Sequence, residues 1–198
     1  MRVTILGAGT AIPALRYSPA GIYVRAGGEH LLLDAGPGTA QRLLAAGVSI
    51  VQIDRIFLTH YHLDHCLDLA SILFALRIPQ PSRKKPLTIY GPPGLKRLYR
   101  GLNHTLNGWL QPKSYRLILR ELGETTLRLN GYAVQAKRMR HYQTGALGYR
   151  IRAGGRSLAY SGDTDVCRNI VALGRRADAL ILECSVTDER KVAGHLTP

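Results

Sequence analysis

His60-Tyr61-His62-Leu63-Asp64-His65 is the stretch on which this chain turns. It follows Asp54–Thr59, an apolar segment that reads as a strand. The cluster therefore stands at a strand's C-terminal end, where open α/β sheets place their sites. If the strand runs on, His60 and His62 point to one face, because side chains alternate with period two. The chain then enters a helix near Cys66, and Asp64 and His65 at that turn can point back over the same spot. Imidazole and carboxylate heads gathered this closely suit Zn²⁺, with Mn²⁺ or Fe²⁺ as alternatives. One histidine alone would read as a surface or capping residue. Three with an aspartate at this spacing read as metal ligands.

Outward from the cluster, short apolar runs alternate with glycine-rich turns and amphipathic helical stretches. Upstream, Arg2–Leu6 reads as a strand ending at Gly7-Ala8-Gly9. Gly21–Ala26, Gly27-Gly28 and Glu29–Asp34 read as a hairpin with a tight turn. Thr39–Ala46 reads as a helix closed by Gly47. Downstream, Leu67–Leu76 is helical in pattern, with Leu69, Ile72, Leu73 and Leu76 on one face. Pro79–Pro86 reads as a loop, Leu87–Gly91 as a strand and Gly94–Leu106 as a helix. Strands are expected at Tyr115–Leu122, Thr125–Leu129, Tyr132–Met139, Leu147–Arg152 and Ser157–Ser161. Cys167–Arg175 reads as a helix and Ala179–Cys184 as a buried strand. Many strands with interspersed helices predict two packed sheets flanked by helices.

The chain has 198 residues, 45% of them hydrophobic, which suits one domain with a sizeable core. No apolar run approaches the roughly 18 residues of a spanning helix. The N-terminus has no signal-peptide pattern, so no membrane association and a cytoplasmic location are expected. Cys66, Cys167 and Cys184 are far apart and form no CxxC pair; they read as small buried hydrophobes. Lys and Arg number 27 against 13 Asp and Glu, a formal net charge of +14. Such an excess favours a polyanionic partner or substrate. The basic runs at 82–85, 96–100 and 137–140 are each consistent with a solvated face, and together they could grip an RNA backbone. Gly7-Ala8-Gly9-Thr10-Ala11-Ile12 evokes a dinucleotide fingerprint, but Ile12 stands where glycine is required and Glu29 falls in a hairpin. A tight turn near the metal cleft is the better assignment.

His-x-His-x-Asp-His after a strand resembles the signature of the metallo-β-lactamase superfamily, and the chain looks most like ribonuclease Z and its bacterial relatives. Supporting stretches are Ile5-Leu6-Gly7-Ala8-Gly9-Thr10, Leu32-Leu33-Asp34-Ala35-Gly36, Ser161-Gly162-Asp163-Thr164, Glu183-Cys184-Ser185 and Gly194-His195-Leu196-Thr197-Pro198. The resemblance implies one domain over residues 1–198 with an α/β architecture, the αββα sandwich of two packed mixed sheets with helices on the outer faces. It implies that His60, His62 and His141 hold a first metal, that Asp64 and His65 hold a second, and that Asp163 bridges both. His30 and His104 lack such context and read as surface or loop histidines. Asp34 would support the metal site from behind its ligands. Glu183 and His195, twelve positions apart, would form a pair in which the carboxylate orients the imidazole and the imidazole protonates the leaving oxygen. Asp64 would orient the attacking water or accept its proton.

The activity implied is that of a zinc-dependent phosphodiesterase, two Zn²⁺ acidifying the attacking water, with endonucleolytic 3′ processing of precursor tRNA as the reaction. The alternatives are a hydrolase of small phosphodiesters or other esters on the same dinuclear site, and a non-catalytic metal- or nucleic-acid-binding remnant. The resemblance also admits a homodimer. Two departures from the family pattern stand out. Many ribonuclease Z enzymes carry a protruding tRNA-gripping arm between the last two ligand segments; here only residues 142–162 lie between His141 and Asp163. A last histidine ligand is expected beyond Pro198, and Thr197-Pro198 is itself a helix-start signal. A C-terminally truncated fold with an incomplete second metal site is therefore expected.

Overall fold

Aliphatic and β-branched side chains in short alternating or continuous runs make strands wherever they can pack on a sheet face. The first such runs form β1 (Arg2–Gly7), β2 (Gly21–Ala26) and β3 (Glu29–Leu33). Gly27 and Gly28, at φ +57° and +82°, supply the two left-handed residues that a tight turn between β2 and β3 needs. Next come α1 (Thr39–Ala45), β4 (Arg55–Phe57), α2 (Leu63–Cys66), α3 (Asp68–Arg77), β5 (Leu87–Gly91), α4 (Leu95–Thr105) and β6 (Leu117–Glu121). The C-terminal part holds β7 (Thr125–Leu129), β8 (Tyr132–Arg138), β9 (Leu147–Ala153), β10 (Arg156–Tyr160), α5 (Arg168–Gly174) and β11 (Ala179–Ile181). This computed structural model describes residues 1–78 and 82–198. The expected loop Pro79–Pro86 is irregular over 82–86, and its first three residues lie outside the described ones. Internal contacts divide the chain into two compact units, Arg2–Arg25 with Glu29–Glu121, and Ala26–Gly28 with Leu122–Pro198.

The first unit is built on a six-stranded mixed sheet in the order β1-β2-β3-β4-β5-β6. β1 and β2 are antiparallel, and β3 through β6 run parallel. The register sets Leu32, Ile56, Ile89 and Leu119 in one row across four strands. Leu32, Ile56 and Ile89 are buried with Leu43 of α1, Leu69, Ile72, Leu73 and Leu76 of α3, and Leu95 of α4. The 3.6-residue apolar period expected over 67–76 is thus the packed face of α3. Leu31, Leu33 and Phe57, which alternate with that row, are also fully buried, as expected of parallel strands. Arg83 is buried too. It donates to the carbonyls of Val51 and Pro86 at 2.8 and 2.6 Å and lies over the Tyr115 ring. Burial holds its guanidinium below the ordinary arginine value.

The second unit is a five-stranded sheet in the order β11-β10-β9-β8-β7, antiparallel except for the parallel β10–β11 pair. A parallel pair needs a crossover, which α5 supplies. Its Ile170 and Leu173 pack with Met139, Ala146 and Ala159. Arg150, buried on β9, donates to the carbonyls of Leu173, Arg175 and Arg176 at 3.2, 2.7 and 2.8 Å. These include the acceptors that a helix end leaves unsatisfied.

Three expectations need correction. β4 ends at Phe57, so residues 58–62 do not continue a strand and the histidines do not owe their convergence to strand alternation. The helix after the cluster begins at Leu63 rather than near Cys66. Ala179–Cys184 is strand only to Ile181 and is not buried. It is the edge of its sheet, and Leu180 and Leu182 remain 46% and 47% exposed. Among the described residues no helix is long and apolar enough to cross a membrane.

Candidate metal centre

In the first unit the chain leaves β4 and crosses to α2 through Leu58–His62. His60 is buried at the end of this crossing, and its ring lies 4.6 Å from that of His62 and 4.3 Å from that of His65. His62 stands at the N-cap of α2 with extended backbone, and Asp64 and His65 fall in the helix itself. A loop followed by one helical turn does the converging.

Asp34 organises these donors. It ends β3 with a left-handed φ of +57°, a conformation that costs most non-glycine residues energy and that Asp tolerates better than most. Its Oδ1 accepts the Thr59 amide at 2.7 Å, and its Oδ2 accepts the Thr59 hydroxyl at 2.9 Å. The same Oδ2 lies 2.8 Å from His65 Nδ1. A carboxylate only accepts, so His65 Nδ1 carries the hydrogen and Nε2 is the basic nitrogen. Because the Thr59 hydroxyl spends its single proton on Asp34, it accepts from His60 Nδ1, 3.0 Å away. His60 Nε2 is then basic as well. One buried carboxylate thus sets the tautomer of two imidazoles, which is the outer arrangement metal-binding histidines require. His65 Nε2 is 3.8 Å from Asp64 Oδ2.

Cys66, next in sequence, takes no part. Burial, reinforced by the charges of Asp34 and Asp64, pushes its thiol up to about 12. It stays protonated in the apolar core. His30 is neither loop nor free surface. It lies half-buried on β3, its Nδ1 2.8 Å from the Tyr23 hydroxyl, and burial lowers its pKa. His104 is exposed on α4.

In the second unit the site residues come from three loops. His141 follows β8 and is buried; its Nδ1 is 2.8 Å from the carbonyl of Gly194. A carbonyl only accepts, so again Nδ1 holds the hydrogen and Nε2 is basic, 3.8 Å from Asp163 Oδ2. Asp163 lies just beyond β10. Glu183 follows β11, where Oε1 accepts the Thr164 amide at 2.7 Å and Oε2 accepts the Ser185 hydroxyl at 2.7 Å. His195 Nδ1 is 3.2 Å from Glu183 Oε1, 3.0 Å from Ser185 Oγ and 3.7 Å from Asp163 Oδ2. Asp163, Glu183 and His195 each offer a donor atom within 4.8 Å of the others.

The segment carrying His195 is held in place. Asp165 Oδ1 accepts Lys191 Nζ at 2.9 Å and the Val166 amide at 2.8 Å, and its Oδ2 accepts the Gly194 amide at 3.2 Å. Lys191 also donates to the carbonyl of His195. The Lys191 ammonium, with the two amides, holds the Asp165 carboxyl down at about 2.

Thr59, Ser185, Asp165 and the Gly194 carbonyl have no signature in the sequence. Ser185 was visible only as part of Glu183-Cys184-Ser185, and nothing there assigned it a contact.

A divalent cation fits these residues. Imidazoles with fixed Nδ1–H tautomers and carboxylates at close range are the donor set of Zn²⁺, Mn²⁺ and Fe²⁺. Comparison with known proteins agrees. The Beta-lactamase superfamily domain matches residues 29–198. The ribonuclease Z of Methanothermobacter thermautotrophicus is 27% identical over 246 aligned positions, covering 100% of this chain and 80% of that protein. The ribonuclease Z of Brevibacillus brevis is 35% identical over 153 positions, covering 76% of this chain and 47% of that one. The crystal structure of human tRNase Z, short form, superposes with a TM-score of 0.84 at 27% identity, covering 99% of this chain and 84% of that one. These relatives are longer than this chain, and two mixed α/β sheets are the fold they share. With its histidine and aspartate donor groups, the chain belongs to the beta-lactamase superfamily, as a ribonuclease Z-like metallo-β-lactamase of hydrolase type.

Proposed function

We propose that this chain is a zinc-dependent phosphodiesterase that cleaves precursor tRNA at its 3′ end, and that residues 1–198 act as one metallo-β-lactamase-like domain. The observation that carries it is the Glu183–Ser185–His195 group, in which His195 Nδ1 is 3.2 Å from a carboxylate that is itself held by two donors. That carboxylate and the Ser185 hydroxyl hold the ring in one orientation, as a proton donor to a leaving alkoxide requires.

His60, His62 and His141 would hold one Zn²⁺, Asp64 and His65 the other, with Asp163 bridging. When bound, the pair supplies charge neutralisation at the phosphoryl oxygen and acidifies the attacking water. Asp34 keeps His60 and His65 in the ligating tautomer. Asp64 orients the water and takes its proton. Glu183 and Ser185 fix the His195 ring, and His195 Nε2 delivers a proton to the departing oxygen. Protein charge of +14 favours a polyanion as substrate, and the names of the relatives point the same way.

A second reading has its own support. Residues 142–162 contain little besides the β9–β10 hairpin, so that segment has no room for an arm, and a small phosphodiester would need none. A precursor tRNA with a 3′ trailer, assayed beside a small chromogenic diester, separates the two. Release of the trailer supports the tRNA assignment; turnover of the diester alone overturns it. Metal counting tests the remnant alternative: fewer than two ions per chain with no turnover of either substrate would make the chain a binding protein. A cytoplasmic location and a homodimer belong to the same proposal, the latter checked by sedimentation.

A further inference from the structure

The turn Pro92-Pro93-Gly94 lies against Tyr61. The Tyr61 hydroxyl donates to the Pro92 carbonyl, and a Cβ added at Gly94, whose φ is +107°, would stand 3.3 Å from the Tyr61 ring. Tyr61 sits between His60 and His62, so the start of α4 is anchored to the metal-ligand loop through one side chain. From that point α4 exposes Lys96, Arg97 and Arg100. Their i,i+3 and i,i+4 spacing brings three cationic heads onto one turn. With Pro93, Gly94 and Glu121 they line an open cavity of about 350 Å³.

These cations are not held in ion pairs as several others of the chain are. Arg55 is paired with Glu29, Lys85 with Asp54, Lys137 with Glu124, Arg156 with Asp178 and Lys191 with Asp165. Among the described residues, no ion pair or side-chain hydrogen bond reaches the heads of Lys96, Arg97 or Arg100. The one carboxylate lining the cavity is already engaged: Glu121 Oε1 accepts the amides of Gly94 and Lys96 at 3.1 and 3.0 Å and so caps the helix. Like charges on one helical turn repel, and the one carboxylate beside them, Glu121, is the counter-charge that Lys96 and Arg100 share. Because Glu121 occupies the helix amides, a small oxyanion gains no backbone donors here. A chain of phosphates can instead engage the three heads in turn, with the arginine forks suited to bidentate contact.

We propose that Lys96, Arg97 and Arg100 form a backbone-phosphate subsite that holds RNA beside the metal-ligand loop. This rests on the RNA assignment above and places the grip on α4 rather than on a protruding arm.

The test is a triple variant, Lys96→Ala/Arg97→Ala/Arg100→Ala, beside a control that removes three exposed charges elsewhere, Lys113→Ala/Arg128→Ala/Arg152→Ala. The probe is a fluorescent hairpin RNA with a single-stranded 3′ tail, titrated by anisotropy across a salt series on the metal-loaded protein. For three lost phosphate contacts, the slope of log K against log[salt] should become shallower by about 2 to 3 in the α4 variant. Its affinity near 0.1 M salt should drop about tenfold or more, while the control stays within about twofold. Turnover of a small chromogenic diester should be equal in all three proteins, which also reports an intact fold. Equal losses in both variants would overturn the subsite in favour of diffuse charge. Unchanged RNA binding in the α4 variant, with precursor tRNA still cleaved, would overturn the subsite and leave the proposed function standing. Selective loss of RNA binding in a protein that never cleaves precursor tRNA would uphold the subsite and remove the tRNA-processing assignment.

Discussion

Asp34 Oδ2 lies 2.8 Å from Nδ1 of His65, thirty-one residues further along the chain, and the same oxygen accepts the Thr59 hydroxyl that faces His60. A carboxylate at the end of β3 therefore determines which nitrogen two of the candidate metal ligands present.

Asp34→Asn reverses that instruction. If the amide group faces His65, Nδ1 must accept and the hydrogen moves to Nε2, so the ring no longer ligates. Zn²⁺ affinity measured by calorimetric titration should fall about 10- to 100-fold. Asp34→Ala should cost more stability than Asn, about 2–4 kcal/mol in denaturant unfolding, because buried donors of Thr59 and His65 lose their acceptor. An affinity unchanged in Asp34→Asn would remove Asp34 from the site.

His195→Ala and Glu183→Gln test the proton-donor role against direct metal ligation. As proton donor and partner, they should lower kcat for a small diester by about 10²–10⁴-fold and leave the metal content of the protein unchanged. Loss of a metal ion in either variant, read by elemental analysis, would reassign the group of Asp163, Glu183 and His195 as a ligand set.

Ser185 touches both members of that pair, at 2.7 Å from Glu183 Oε2 and 3.0 Å from His195 Nδ1. Ser185→Ala should lower kcat by about tenfold, the scale of one lost orienting hydrogen bond of about 1 kcal/mol or slightly more, with KM unchanged. Ser185→Thr retains the hydroxyl and should recover most of the loss. Equal defects in Ala and Thr would mean that packing, not the hydrogen bond, is what matters.

The Asp165 clamp has a defined acid limit. Its folded pKa, held down at about 2, lies below the ordinary 3.8. Its contribution is therefore complete above the unfolded value and is lost as pH falls from about 4 towards 2. Hydrogen exchange in residues 188–196 should be flat in its protection from pH 8 to 5, after correction for intrinsic rates. Asp165→Asn should loosen the segment throughout pH 5 to 8 and match wild type only at the acid limit. An acid-induced opening already present at pH 6 would contradict the assignment.

The histidine and aspartate cluster at 60–65 was legible as a cluster because its residues are adjacent in the chain, although a loop and one helical turn rather than a strand bring the rings together. The apolar face of α3 was legible for a related reason, since a 3.6-residue period is a local property. Local pattern misjudged β4 and β11. An apolar run marks burial or strand content, but not where the pairing partner ends or whether a strand lies at an edge. Leu180 and Leu182 look like core residues in sequence and are half exposed; Leu180 lies on β11, which among the described residues pairs with β10 alone, and Leu182 follows just past its end.

Residue type and short-range spacing were enough to establish the mixed α/β pattern, the kind of donor atoms and the excess of positive charge. The fold alone assigned Asp34 to Thr59 and His65, Gly194 to His141, and Ser185 to Glu183 and His195. Hydrogen bonds are short and directional. A contact spanning dozens of residues exists only once strands and turns have fixed the backbone on both sides of it, and no period or motif in the chain encodes that meeting.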